Sequence, residues 1–197
     1  MQELVIATKN EGKAKEFKDF FARYGIKALS LLELNDEVPD IEENGTTFEE
    51  NAALKAEQIS AIQSTPVLAD DSGLIIDSLN GRPGIYSARY AGVQSNDQAN
   101  IEKVLDELTG VPIEKRDARF ICVLAIAIPN KPTIFKTGFC EGKIAFTAEG
   151  KNGFGYDPIF IPSGYTKTMA QLSSGEKNKI SHRYHAIQQL EEWIKNI

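Results

Sequence analysis

Short apolar runs alternate with segments of helical periodicity in the amino-terminal part of this chain. Residues 4–8 form a nearly continuous apolar run, which is typical of a central strand, and residues 27–32 form a second one. Between the two runs, large apolar side chains recur at helical spacing at Phe17, Phe20, Phe21 and Tyr24. This spacing predicts an amphipathic helix that ends at Gly25. The sequence therefore predicts a strand, a helix and a second strand in this order.

The same two kinds of pattern continue toward the carboxyl end of the chain. A capping box of Thr47 and Glu50 predicts a helix that runs to about residue 61. The elements predicted after it are a strand over 74–79, a helix over 97–108, strands over 118–128 and 133–139, and a last helix that begins at 181–183. For 197 residues we expect one domain or two closely joined lobes.

Two adjacent carboxylates, Asp70 and Asp71, lie between apolar residues on both sides. This pattern predicts a turn where two buried strands meet. Neighbouring like charges in a partly dry site raise each other's pKa, so an ionised pair needs hydrogen bonds, a cation or a metal. Carboxylate oxygens suit Mg²⁺, which usually binds together with phosphates. A solvated turn is the alternative, and this run alone does not decide between the two.

A polar loop over residues 8–13 connects the first predicted strand to the first predicted helix, and it contains Lys9, Gly12 and Lys13. Backbone N–H groups at a helix start point toward an anion, and the lysines add positive charge, so the loop favours a phosphate site. Its spacing is not that of a Walker A loop. Many polar loops between a strand and a helix bind nothing, which is the alternative.

An acidic stretch over residues 35–45 leads into the helix predicted after Thr47. Most of its side chains are expected to be solvated, but an acid just before the helix could reach a site beside Asp70 and Asp71. Lys55 lies two turns into this helix. It is a candidate phosphate ligand, with an ordinary exposed lysine as the alternative.

Three glycines surround Phe154 and lead to an acid-proline turn at Asp157. Glycine lets the backbone approach a ligand closely, an exposed phenylalanine stacks on a flat ring, and a nearby carboxylate accepts from ring N–H donors. A tight turn before a strand is the alternative. Basic residues, including His182 and Arg183, then stand at the start of the last helix, where the helix dipole disfavours them and an outside partner is indicated.

Composition narrows the classes of function. The net charge of −6 argues against a sequence-independent nucleic-acid binder. Cys122 lies in an apolar run and Cys140 on a predicted strand, which favours two buried thiols over a disulfide. No apolar stretch approaches membrane-spanning length and the first residues lack a signal-peptide pattern, so we expect a cytoplasmic protein.

Taken together, the motifs resemble one family, the inosine/xanthosine triphosphate pyrophosphatases. The matching segments, in chain order, are residues 8–13, 69–74, 83–90, 153–158 and 181–183. Each motif is modest by itself, but they span nearly the whole chain in the family's order.

The resemblance implies an α/β fold with a long, curved mixed sheet flanked by helices, with two lobes and a central active-site cleft in a single domain over residues 1–197. It also implies a homodimer that hydrolyses ITP, dITP and XTP with Mg²⁺ to the monophosphate and pyrophosphate. Such an enzyme clears deaminated purines from the nucleotide pool and needs neither a nucleic acid nor a membrane.

The resemblance also assigns roles by position. Asp71 should act as proton acceptor for the attacking water and bind the metal together with Glu42, although the adjacent Glu43 is the alternative second ligand. Ser72 should contact the nucleotide. The other residues that should bind it are Thr8, Lys9, Asn10, Glu11, Gly12, Lys13 and Lys55 for the triphosphate, and Phe154, Gly155, Tyr156, Asp157, Lys177, His182 and Arg183 for the base.

Two other functions fit parts of the pattern. One is a related Maf-like nucleotide pyrophosphatase with a modified pyrimidine or another substrate, against which the purine-type motifs at residues 154–157 and 181–183 argue. The other is a nucleotide-binding sensor without turnover, against which the presence of Asp71 and the basic loop argues. An assay of turnover separates the three.

Overall fold

Residues 3–34, 38–92 and 96–195 are described by the structure, which is a computed structural model. The start of the acidic stretch, residues 35–37, lies outside the described residues. The strands are β1 (Glu3–Ile6), β2 (Lys27–Ser30), β3 (Val67–Ile76), β4 (Asp117–Ala127), β5 (Ile134–Ile144) and β6 (Phe160–Pro162). The helices are α1 (Glu11–Ala22), α2 (Phe48–Gln63), α3 (Asp97–Glu107), α4 (Ser174–Ile180) and α5 (His182–Ile194).

The strands form a six-stranded sheet in the order β2-β1-β3-β4-β5-β6. β1 pairs in parallel with β2 and with β3, with Val5 opposite Leu29 on one side and Val67 on the other. β5 and β6 are antiparallel, with Gly142 opposite Pro162. The sheet is therefore mixed and is flanked by helices, as the family resemblance implied.

The chain divides into two compact units, which are described separately. The first unit contains the described residues up to Asp71, residues 123–137 and the described residues from Ala186 onward. The second unit contains residues 72–122 and 138–185. That the two units are lobes of one domain stays a prediction.

The core of the first unit forms around β1 and α1. The helical spacing seen in the sequence buries Phe17, Phe20 and Phe21 on one face of α1. The rings of Phe20 and Phe21 meet edge to face with their centroids 5.1 Å apart. Gly25 follows the helix with φ +66°, a conformation that glycine adopts without strain. The first predicted helix and its stop signal are confirmed.

The core of the second unit gathers around α3, whose apolar face contributes Ile101 and Val104. These side chains lie in one buried cluster with Ile76 from β3, Tyr156, and Phe160 from β6. The helix predicted over 97–108 is confirmed. It is anchored to the same core as the segment that contains Tyr156.

The predicted turn at Asp70 and Asp71 is wrong, because β3 runs without interruption from Val67 to Ile76. The carboxylates are tolerated inside a buried strand because lysine and asparagine side chains from α1 and α2 reach them, as described below. The strand predicted over 74–79 is therefore the end of β3 followed by a 3-10 turn over Asp77–Leu79.

Other differences concern the carboxyl-terminal part of the chain. β5 extends to Ile144, beyond the strand predicted over 133–139. The last helix begins at His182 as predicted, but the short helix α4 before it was not predicted. Its signal was present, because Ser173 and Glu176 form a capping box.

Both cysteines are free and buried, as expected from the sequence. Burial raises the pKa of the Cys140 thiol to about 11, with the neighbouring Glu141 and Asp157 adding to the effect. Within the described ranges, the helices are too short or too polar to cross a lipid bilayer.

Candidate active site

The first unit contains a group of charged side chains that we call the carboxylate–lysine cluster, formed by Lys13, Glu43, Lys55, Asp70 and Asp71. Asp70, only 5% exposed on β3, accepts a hydrogen bond at its Oδ2 from Lys13 Nζ over 2.8 Å. Lys55 Nζ donates to the main-chain oxygen of Asp70 over 2.6 Å. It also forms an ion pair with Glu43 Oε1 at 3.2 Å. Two cations and three carboxylates are thus brought together on α1, α2, β3 and the segment before α2.

Asp71 is a buried carboxylate whose pKa is raised within this cluster. Burial raises the pKa of its carboxyl to about 6, and the charges of Glu43 and Asp70 add to this effect. Lys55 and a hydrogen bond from Asn51 oppose it. A carboxylate with this pKa is ionised near neutral pH and still binds a proton more readily than an ordinary aspartate. This is the property that a general base requires.

Lys55 stays cationic within the cluster. Burial lowers the pKa of its ammonium, but the attraction of Asp70, Glu43 and Asp71 outweighs burial, and the net shift is upward. Its position follows from α2, whose amino end is fixed by Thr47 accepting from the backbone N–H of Glu50 over 3.1 Å. The part of the predicted capping box in which Thr47 accepts from Glu50 is therefore present, while the Glu50 carboxylate accepts from the N–H of Thr46, one residue before the N-cap.

Asn51 belongs to this site and was not predicted. It is almost fully buried on the first turn of α2, and its Oδ1 accepts from the N–H of Gly45 over 2.8 Å. It thereby ties the segment that carries Glu43 to the helix that carries Lys55, while its side chain also bonds Asp71. The sequence showed only an asparagine in the first turn of a predicted helix, and its burial became visible in the structure.

The donor chemistry of the cluster fits a hard divalent cation. Mg²⁺ is commonly held by one or two carboxylates, with waters and substrate phosphates completing its octahedron. Glu43 and Asp71 act on each other electrostatically, whereas the Glu42 side chain is exposed. Although three carboxylates belong to the cluster, no group of three or more Asp, Glu, His or Cys side chains among the described residues is arranged to hold a metal ion. Glu43 is thus better placed than Glu42 to be the second ligand.

The loop over residues 8–13 forms the amino end of α1. Asn10 is the N-cap, and its Oδ1 accepts from the N–H of Lys13 over 3.0 Å. Thr8 is buried and its Oγ1 accepts from the N–H of Asn10 over 3.1 Å. Glu11 and Gly12 are exposed in the first turn, and Lys9 pairs with Asp40 at 2.5 Å. The loop has the geometry of a helix amino terminus, where an anion is favoured.

The second unit contains the other predicted residues. Ser72 is half-buried on β3, directly after Asp71. The segment over residues 153–157, which we call the Phe154 loop, presents the Phe154 ring with 59% of the residue exposed. Lys177 Nζ lies 5.1 Å from the centroid of this ring and pairs with the buried carboxylate of Asp157. An exposed aromatic face beside a cation is suited to stacking on a flat, electron-rich ring.

The Phe154 loop is held by hydrogen bonds within the second unit. Asp157 Oδ2 accepts from the N–H of Phe154 over 3.0 Å. Tyr156 donates its buried hydroxyl to the main-chain oxygen of Ser87 over 2.7 Å. Gly155 donates its N–H to Asp97 Oδ2 over 2.7 Å. Asp97 and Ser87 were not predicted as site residues.

Gly153 is required in this loop for two reasons. Its φ is +79°, and a Cβ at this position would stand 1.9 Å from Asp157 Oδ2. Only glycine combines this backbone conformation with such a close carboxylate. The sequence signal read as a glycine-rich approach to a ligand therefore serves first to admit the Asp157 carboxylate.

His182 and Arg183 occupy the first residues of α5. His182 stacks on Phe120 with the ring centroids 5.0 Å apart, and Arg183 is buried. His185, one turn later, uses its Nδ1 to bond the main-chain oxygen of Phe139 at 2.6 Å. The two histidines thus engage different partners, which does not favour a metal site built on them.

Chemically, the carboxylate–lysine cluster combines charge neutralisation with a proton acceptor, and the Phe154 loop offers an aromatic platform. Comparison with known proteins identifies the family of the chain. The family model of the Ham1 family matches residues 4–193, and the chain belongs to this family. The resemblance identified from the five motifs is confirmed.

Relatives match the chain over its whole length. A protein of Oceanobacillus iheyensis named dITP/XTP pyrophosphatase is 64% identical over 197 residues and covers 100% of both chains. A protein of Shouchella clausii with the same name is 56% identical over 198 residues, covering 100% of this chain and 98% of its own. The solved structure of the Staphylococcus aureus Ham1 protein has a TM-score of 0.92 and 46% identity, covering 99% of each chain. A HAM1 protein from Coxiella burnetii has a TM-score of 0.93 and 42% identity, covering 100% of each.

Proposed function

We propose that this protein hydrolyses dITP, ITP and XTP to the nucleoside monophosphate and pyrophosphate, and so clears deaminated purines from the nucleotide pool. The observation that carries the proposal is the buried Asp71 carboxylate, whose pKa is raised to about 6 beside Lys55 and Glu43. Relatives named dITP/XTP pyrophosphatase at 64% and 56% identity support dITP and XTP as substrates.

In the proposed reaction, Asp71 accepts a proton from a water molecule whose oxygen attacks the α-phosphorus. The bond between this phosphorus and the oxygen bridging to the β-phosphorus breaks, and pyrophosphate leaves with that oxygen. Lys13 and Lys55 neutralise the negative charge on the phosphates, which shifts toward the leaving pyrophosphate as the bond breaks. The amino end of α1 adds N–H donors and a favourable dipole for the same anion.

We propose Mg²⁺ as the cofactor, held by Asp71 and Glu43. When bound, it neutralises phosphate charge and polarises the reacting phosphoryl group. The support for this assignment is that both side chains offer carboxylate oxygens, the ligands that Mg²⁺ prefers. Glu42 as the second ligand stays a prediction from the sequence.

The base is assigned to the second unit. The bases of inosine and xanthosine present an oxygen acceptor at position 6 and an N1–H donor. Adenine presents an amino donor at position 6 and an N1 acceptor. In this proposal Lys177 donates to the oxygen and the ring of Phe154 stacks on the base; the support is that the ring is exposed and that Lys177 Nζ lies 5.1 Å from its centroid. A site that donates to this oxygen leaves a polar group unpaired with adenine, which discriminates strongly against ATP.

A homodimer and a cytoplasmic location complete the proposal. Light scattering after size-exclusion chromatography measures the mass in solution, and for a homodimer we expect twice the mass of the chain. Cell fractionation with an antibody against the chain tests the location. Neither property enters the assignment of the site residues.

The proposed function is tested by pyrophosphate release from dITP, XTP, ITP, GTP, ATP and dUTP, with Mg²⁺ and with EDTA, for the wild type and Asp71→Asn. We expect rapid Mg²⁺-dependent release from dITP, ITP and XTP, and its loss in the variant. Release from dUTP alone would favour a Maf-like substrate. Tight binding of dITP without release from any triphosphate would favour a sensor.

A further inference from the structure

Two carboxylates hold the two peptide groups that flank the Cα atom of Phe154. The peptide group before Phe154 donates its N–H to Asp157 Oδ2, and the peptide group after it, through Gly155, donates its N–H to Asp97 Oδ2. Fixing both peptide planes fixes the direction of the Cα–Cβ bond between them. The ring is exposed, but the backbone that carries it is held.

These two anchors matter because the flanking backbone is intrinsically permissive. Gly153 and Gly155 have φ values of +79° and +61°, a region that glycine enters and leaves at little cost. Without the hydrogen bonds, a loop with two such residues samples many directions for the ring. An aromatic platform that must be ordered at binding loses affinity to that ordering.

The helix that carries Asp97 is anchored to the core of the second unit. Asp97 is the first residue of α3, where a negative charge is favoured by the helix dipole. The helix is locked into the core by Ile101 and Val104. Asn100, on the same helix and almost fully buried, accepts from the N–H of Ala91 over 2.8 Å. Through this carboxylate, the peptide group of Gly155 is hydrogen-bonded to a helix that is packed into the core.

We infer that Asp97 is a positioning residue for base binding, which acts through Phe154 and makes no contact with the substrate itself. The inference deepens the proposed function and rests on it. It assigns to α3 a part in purine recognition that is separate from phosphate binding and from the proton transfer at Asp71.

The test compares steady-state hydrolysis of dITP by the wild type, Asp97→Ala and Asp97→Asn. Loss of a hydrogen bond to a carboxylate is expected to raise KM about fivefold in Asp97→Ala, with kcat changed by less than about twofold. Asp97→Asn keeps an oxygen acceptor and should recover most of the wild-type KM. Inorganic triphosphate, which lacks a base, should inhibit the wild type and Asp97→Ala equally.

A matched control separates positioning from simple loss of helix stability. Asn96 is the N-cap of α3 and accepts from the N–H of Ala99 over 3.0 Å, so Asn96→Ala weakens the same helix end without touching Gly155. It should lower the melting temperature and leave KM unchanged. In a Phe154→Ala background, Asp97→Ala should raise KM no further, because its effect passes through the ring.

The outcomes are distinct. An unchanged KM in Asp97→Ala, an equal rise in Asn96→Ala, or weaker inhibition by triphosphate would overturn the inference while the proposed function stands. A wild type that releases no pyrophosphate from dITP would overturn the proposed function and the inference with it.

Discussion

Lys13 on α1 donates to the buried carboxylate of Asp70 on β3 over 2.8 Å, although 57 residues separate them in the chain. The contact ties the amino end of α1 to the strand that also carries Asp71. A lysine expected to bind phosphate is therefore already ordered by an internal carboxylate. Because the side chain is ordered before the substrate binds, less conformational entropy is lost on binding.

The first prediction concerns this pair. Lys13→Met keeps the apolar stem but leaves Asp70 with one partner fewer, and loss of one member of a buried pair is expected to lower the free energy of unfolding by about 3 kcal/mol. Urea unfolding monitored by circular dichroism measures this loss. In the double variant Lys13→Met/Asp70→Asn most of the stability should return, while activity stays low. Equal free energies of unfolding for Lys13→Met and the wild type would show that the contact does not stabilise the folded protein.

The second prediction concerns pH. The pKa of Asp71 is raised to about 6 in the folded protein, so between the unfolded value and pH 6 the folded state binds more protons. The protonated Asp71 carboxyl therefore stabilises the folded state relative to the ionised one. This contribution is fully present below the unfolded pKa and is lost as pH rises through about 6. In EDTA at pH 8, Asp71→Asn should therefore be more stable than the wild type, by at most about 3 kcal/mol. The difference should shrink toward pH 5, and a difference independent of pH would contradict the assignment.

The third prediction separates the two adjacent glutamates. Glu43→Gln should raise the Mg²⁺ concentration needed for half-maximal pyrophosphate release by about tenfold, because a charged ligand is lost. Glu42→Gln, an exposed neighbour, is the matched control and should behave as the wild type. Titration of Mg²⁺ at saturating dITP measures both. The reverse pattern would restore Glu42 as the ligand.

The fourth prediction concerns the aromatic platform. Phe154→Ala should raise KM for dITP about tenfold, the size of one lost stacking contact with a base, and should change kcat little because stacking is similar in the ground and transition states. Phe146→Ala is the control, since Phe146 is also 59% exposed in the second unit. If both variants had the same KM as the wild type, Phe154 would not be part of the base site.

Local patterns predicted the elements whose causes are local. The spacing of Phe17, Phe20 and Phe21 was enough to place α1 and its buried face, and Thr47 was enough to place the start of α2. Asp70 and Asp71 were misread as a turn because what makes them acceptable in a strand is distant: Lys13 and Lys55 supply the compensating contacts.

The candidate site followed the same rule. Glu42 and Glu43 are adjacent acids in a polar stretch, and only the ion pair of Glu43 with Lys55 separates them. Asp97 had the sequence appearance of an ordinary first residue of a helix, because its bond to Gly155 spans 58 residues. Contacts of this range depend on the folded chain and leave no local pattern.

The measurement that tests the central claim most directly is hydrolysis of dITP in water enriched in ¹⁸O, with mass spectrometry of both products. Attack of a water molecule at the α-phosphorus places one labelled oxygen in the monophosphate and none in pyrophosphate. This is the result we expect, with label incorporation abolished in Asp71→Asn. Label in pyrophosphate instead would show that water attacks the β-phosphorus, and would contradict the reaction proposed for Asp71.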